Sequence, residues 1–269
     1  MRNTTKLSVI IILLFFTYSC ASSNKAASVS QNSVSPAKSE QDKANYWITK
    51  PSNNKIIVIG VSSPMLKRDS EIAAAKEDAA RKVSLFHGVQ GKIETTNRAG
   101  SAGFFESVNN INAELIYDTD YNKYIEQLEY DPQRDIVNVD GTIFIRFQYS
   151  AAVEPISYVS TKDNKGRPSW TYSRDLPQLN GYITAVGIAQ KQRRLKDAIV
   201  KSTDAAVAGM IQAASSEVHT SVSDHSGKGA TGSIYSVSEA HLEKFLVLEF
   251  WIDAETGNVY TLAIGRHVK

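Results

Sequence analysis

The sequence predicts an α+β fold of two tandem modules, each a long helix packed on an antiparallel sheet. Three observations carry the prediction. Two short β-branched runs, "KIIVIGV" (55–61) and "GYITAVGI" (181–188), each hold a Gly flanked by apolar residues, one in either half of the chain. A long Ala-rich stretch follows each run. Its apolar residues recur at helical spacing, Ile72, Ala75, Ala79, Val83 and Phe86 in the first half and Leu195, Ala198, Ile199, Ala205, Ala206 and Met210 in the second. Each half then closes on alternating segments, "KYIEQLEYD" with "GTIFIRFQYS" and "LEKFLVLEFWID" with "NVYTLAIGRHV". A helix with one apolar stripe must bury it, and alternate positions of a sheet supply the partner face.

In chain order, residues 1–19 read as a signal. "MRNTTK" holds Arg2 and Lys6 without an acid and runs into "LSVIIILLFFT", which is shorter than the roughly 20 residues of a membrane span. Cys20 follows directly, between Ser19 and Ala21, and is the only cysteine, so no intrachain disulfide can form. This placement resembles a bacterial lipobox, with Thr17 where such boxes usually carry Leu. The resemblance implies a thiol that takes a diacylglycerol and becomes the mature N-terminus. Ala21 and Ser22, rather than an Asp, follow the Cys, and by the same resemblance favour the outer membrane.

Residues 20–45 contain no aromatic residue and only two Val among large apolar ones, so they read as a disordered tether. As a flexible coil it would hold the body on the order of 30 Å from the lipid. Removing 1–19 leaves 28 basic against 28 acidic residues. A formally neutral chain argues against nucleic acid as a partner, which calls for a basic patch.

The first repeat is expected over 46–153 and the second over 170–269, joined by a linker at 154–169. Trp47 and Trp170 stand before the two β-branched runs and are expected to pack on the sheets as anchors. Gly60 and Gly187 are expected at strand ends, where the chain turns toward the helix. Asp69 or Ser70 suits the first helix as N-cap. Between the helices, Lys76, Asp78, Ala79 and Ala80 answer Lys201, Asp204, Ala205 and Ala206 across a one-residue slip. Alternating "GKIETTN" and "SEVHTSV" come next, each followed by a Gly- and Ser-rich loop, "NRAGSAGFFES" and "SDHSGKGATGS". Asp140-Gly141 and Thr256-Gly257-Asn258 mark the hairpin turns that need positive φ.

Trp170, "AVGIA" (185–189), Asp197-Ala198, Ala205-Ala206 and Asp253, Thr256-Gly257, Tyr260 and Leu262, behind a lipoprotein signal, together resemble the Lpp-twenty family of bacterial outer-membrane lipoproteins. The resemblance covers most of 46–269 as two copies. The first copy departs from it, with a longer closing segment and Phe144 in place of Tyr260. The resemblance implies a dodecin-like or open α/β sandwich and a structural, adhesive or motility role.

No constellation of catalytic residues stands out. His87, His219, His225, His241 and His267 are scattered without a third ligand at metal spacing, so no metal site is expected. "HSGKGATGS" lacks the G-x-x-x-x-G-K-[ST] spacing and reads as a hairpin tip. The carboxylates of "DSE" and "KED", beside Lys76, Arg81 and Lys82, read as a solvated helix face, and "KQRRLK" (191–196) as the surface leading into the second helix. A ring stacked on Trp47 or Trp170 is the weaker alternative to an anchor.

The sequence therefore points to a non-enzymatic, lipid-anchored envelope protein without a cofactor. It would act as a structural or adaptor protein on other envelope proteins, in motility, adhesion or envelope organisation, with self-association open to it. A periplasmic small-molecule-binding module and an activator of a cell-wall enzyme are the alternatives.

Overall fold

The computed structural model describes residues 55–99, 110–154, 156, 158–172, 176–215 and 232–268, and these fall in one compact unit. The elements run β1 (Lys55–Ser62), α1 (Arg68–His87), β2 (Val89–Ala99), β3 (Asn110–Tyr117), α2 (Asn122–Ile125), β4 (Ile136–Val139) and β5 (Thr142–Ser150). A 3₁₀ turn (Ser169–Tyr172) leads to β6 (Ile183–Ala189), α3 (Leu195–Ala214), β7 (Gly232–Ile252) and β8 (Val259–Val268). The fold is α+β with two antiparallel sheets, ordered β1-β5-β4 and β3-β2-β7-β8-β6.

The near-continuous apolar run of β1 follows from burial on both faces. Ile56 and Val58 pack with Ala75, Ala79, Ala80 and Val83 of α1. Ile59 and Val61 face the other way and join Val137, Val139 and Phe144 to Ala198 and Ile199 of α3 and Phe250 of β7. The five-stranded sheet is covered by α3 on one face, where Ala206, Met210 and Ile211 meet Leu242 and Ala263. On its other face Trp170 is buried with Leu248, Leu262 and Ile264, and Ile156, Tyr158, Leu176 and Leu179 pack around them. The segment joining the halves thus covers a sheet face.

Gly60 and Gly187 lie inside their strands, two residues before the last, instead of at a strand end. Their backbone is not left-handed. What they provide is space: a Cβ on Gly60 would run into the Ala75 carbonyl and the Phe147 ring, and one on Gly187 into the backbone of Ser202, Ala205 and Ala206. Each long helix crosses its strand at the Gly. The same offset of 127 separates Gly60 from Gly187, Arg68 from Leu195 and Ala75 from Ser202. Asp78 therefore answers Ala205, not Asp204, and the slip read from the sequence disappears.

Around these helices the strand orders β1-β5-β4 and β6-β8-β7 are alike. The β2–β3 hairpin leaves the first half and pairs with β7 over eleven residues, from Val89 opposite Leu242 to Ala99 opposite Gly232. The halves share one sheet.

Three local expectations change. "KYIEQLEYD" is not a strand: buried Tyr124 and Leu128 are four apart, a helical spacing, and the segment forms α2 and a turn, with a single backbone bridge to β5 at Glu129 opposite Gln148 while Tyr124 and Tyr130 pack on the β5 rings of Tyr149 and Phe147. The partner of β5 is Ile136–Val139, where Val137 and Val139 point inward. Helix α1 begins at Arg68 with Lys67 as N-cap and no side-chain cap, so neither Asp69 nor Ser70 serves. Glu71 works there instead, accepting the Met65 N–H at 2.9 Å and pairing with Arg68 at 3.0 Å.

The hairpin turns fall where expected. Asp140 and Gly141 both have positive φ, 49° and 79°, as a two-residue turn between twisted strands requires. Gly257 has φ 72°, and its N–H donates to the Asp253 carbonyl at 2.7 Å.

Candidate functional site

Among the described residues strand β1 pairs only with β5, so alternate backbone groups on its other side have no strand partner there. Asp78 and Lys82, one helical turn apart on α1, take that place. Lys82 Nζ donates to the Ile59 carbonyl at 2.6 Å and to Asp78 Oδ2 at 2.7 Å, and the Val61 N–H donates to the same Oδ2 at 2.9 Å. Both side chains are buried, 6% and 7% exposed. The solvated helix face expected for "KED" is corrected here: the i, i+4 spacing aims the pair at a strand edge rather than at water. Burial disfavours the Asp78 charge, but Lys82 and Arg81 outweigh it and hold the carboxyl below its usual range.

Arg81, on the same helix, reaches across to α3 and binds Asp204 Oδ1 at 2.7 Å. Burial opposes this guanidinium's charge, and Asp78, Asp204 and Tyr117 more than restore it.

Among the described residues strand β6 is likewise an edge, paired only with β8. By the offset of 127, Ile59 and Val61 correspond to Val186 and Ile188, and Asp78 and Lys82 to Ala205 and Gly209. The second half carries no ion pair at these positions, and a cleft of about 630 Å³ opens there. Its walls are Ala205, Ala208, Gly209, Asp204 and Gln212 of α3, Val186 of β6 and Ala113, Leu115 and Tyr117 of β3. Among the described strands β3 is the other edge of the same sheet, so the cleft lies where both edges approach the outer side of α3. The volume is within the range of ligand sites. A second, mostly apolar pocket beside Lys82, about 30 Å³, has room only for water.

No family model, curated protein or solved structure matches this chain.

Trp170 is 1% exposed, and its Nε1–H donates to Glu249 Oε2 at 2.7 Å. Tyr158 OH donates to the same oxygen at 3.1 Å. Burying such a ring stabilises by on the order of 4 kcal/mol, and no face of it is open for a stacked ligand. Nearby, the Arg167 guanidinium lies 4.2 Å from the Tyr172 ring centre, with Trp251 at 5.3 Å and Tyr260 at 5.8 Å. His87 stacks on Tyr124 and shares a 2.8 Å hydrogen bond with the Tyr149 hydroxyl. Burial, and then the charge of Lys123, push its imidazole below the usual range.

Among the described residues no three His, Asp or Glu side chains converge as a metal site, and no helix is long and apolar enough to cross a membrane. Of the residues singled out in the sequence, Gly60, Gly187 and Trp170 are structural contacts within the fold. Cys20, Trp47, His219, His225 and most of both Gly-rich loops lie outside the described residues. The surface leading into α3 is where "KQRRLK" was expected to put it, with Arg194 as N-cap bound to Asp197 at 2.8 Å. The cleft was not foreseen, because its only sequence signal is small residues at Ala205, Ala208 and Gly209, which also serve close helix packing.

Proposed function

We propose that this chain is a lipid-anchored lipoprotein of the bacterial outer membrane. It acts without catalysis, as a structural or adaptor protein that binds other envelope proteins. The observation that carries the reading is Cys20, the sole cysteine, placed directly after a basic and then apolar leader and before a tether. Two buried acyl chains hold a protein on a membrane stably, where one does so only marginally. We further propose that the folded part derives from one helix-on-sheet unit used twice. The common offset of 127 and the like strand orders support this.

The anchor is tested by feeding an alkyne-tagged palmitate to bacteria making the full chain or Cys20→Ser. Label in the first alone, with partition into the detergent phase, supports the reading. An unlabelled, water-soluble wild type sinks it. A small-molecule-binding role is the second reading, favoured by the volume of the α3 cleft. It expects ligand-dependent thermal stabilisation, about 2.7 kcal/mol at a hundred times Kd.

A further inference from the structure

We infer that the free edge of β6, above the α3 cleft, is a docking site for an extended peptide segment of a protein partner, which adds to the five-stranded sheet as a further strand. The inference deepens the adaptor reading and rests on it for the identity of the partner, but not for the binding itself.

The first half shows what such an edge requires. At β1 the Ile59 carbonyl needs a donor and the Val61 N–H needs an acceptor, and Lys82 and Asp78 supply them. At β6 the corresponding groups are the Val186 carbonyl and the Ile188 N–H. Their helix partners are Ala205 and Gly209, which have no polar side chain. Among the described residues no side chain hydrogen-bonds either group. The donor and acceptor must come from elsewhere, and an added strand presents this pair at this spacing, from the N–H and C=O of one residue if it runs parallel to β6 or of two residues two apart if it runs antiparallel.

The surroundings select the side chains of that strand. One faces α3 and enters the cleft against Ala205, Ala208, Gly209 and Leu115. Asp204, the carboxylate on the wall, is already matched by Arg81, so the cleft has no uncompensated charge to hold a charged side chain. The next side chain falls beside Ile188, a large apolar residue left 51% exposed on the edge strand. The occupant is thus an extended segment with aliphatic residues in sequence, bound by its main chain and sorted by the cleft.

The test uses the full-length protein in detergent micelles. A phage-displayed library of random dodecapeptides is panned on it, and enriched peptides are synthesised and titrated by fluorescence polarisation. Two variants separate the outcomes. Ala205→Asp with Gly209→Lys rebuilds the first half's cap on β6, and Ile188→Pro removes the N–H the strand would engage. Circular dichroism and Tm confirm that each is folded.

The expected result is enrichment of apolar extended sequences that slow hydrogen exchange at the Ile188 amide and bind either folded variant at least tenfold more weakly. No enrichment, equal binding by both variants, or protection confined to β3 would overturn the proposal. So would wild-type self-association that the double variant abolishes, since the occupant would then be a second copy, and so would a metabolite shifting Tm through the cleft while no peptide binds. Loss of palmitate labelling with peptide binding intact would remove the anchor and leave the docking site standing.

Discussion

At Lys82 a long apolar stem carries an ammonium to the carbonyl of Ile59 and to Asp78, and the pair occupies the place of a neighbouring strand. Removing one member of a buried pair leaves the other charged and unmatched. Lys82→Met is therefore expected to destabilise the fold by about 3–5 kcal/mol in urea denaturation. Replacing both members of an ordinary buried pair with apolar residues is often neutral. Here Asp78→Leu with Lys82→Met also orphans the Ile59 carbonyl and the Val61 N–H, so a loss of about 2 kcal/mol or more should remain. A double variant as stable as the wild type would show that the backbone groups find other partners. The Asp78 carboxyl is held below its usual range in the fold, so its contribution is present above the unfolded pKa, about 3.9, and disappears as pH falls through the folded value. Nothing in "KEDAARK" announces this pair, because the same residues on an outward face would be solvated. Its meaning depends on the strand edge that the helix crosses.

The elements that sequence reading located are those with local causes. The two long helices show as Ala-rich stripes, and the Asp140-Gly141 turn as a residue pair that tolerates positive φ. The stretch 123–131 misled because Tyr124 and Leu128 fit a period of four while Tyr124, Leu128 and Tyr130 also fit an alternation, and only packing against β5 and α1 decides between them. The repeated Gly was visible, but its cause was not. It is a crossing point in the middle of a strand, where the helix backbone comes within reach of any Cβ. Gly60→Ala and Gly187→Ala should each push a helix off its sheet and cost about 3 kcal/mol or more, the upper end of overpacking. Gly166→Ala is the control. Its φ is +77° with nothing within 4 Å, so left-handed strain of about 1–2 kcal/mol is all it should lose. If the three variants fell together in chemical denaturation, the crossing geometry would not be what fixes these glycines.

For the whole molecule, the decisive pairing is the one the sequence showed least. Two repeats read along the chain imply two cores, and the like strand orders agree with that reading as far as they go. Yet β2 belongs to the first half by position and lies between β3 and β7 in the sheet of the second, while Ile59, Val61 and Phe144 share a cluster with Ala198, Ile199 and Phe250. No local pattern encodes such a pairing, since "GKIETTN" alternates equally well against any strand of suitable length. Separating the halves would expose the β7 edge along eleven residues and strip α3 of Leu85, Val89 and Ile93. Edges and apolar surfaces of that size favour aggregation over folding. Full-length protein, with Trp47 and Trp251 replaced by Phe so that fluorescence reports the buried Trp170, should therefore unfold in a single transition, with fluorescence and far-UV circular dichroism coincident. Residues 170–269 made alone should show neither native Trp170 fluorescence nor a sharp transition, and co-expression with 46–169 should restore both. Two separated transitions, or a stably folded second half, would mean that each repeat carries enough core of its own and that the shared sheet is only a contact between finished modules. One transition would mean that the β6 edge is lost only when the whole body unfolds, so that the stability of both halves stands behind it.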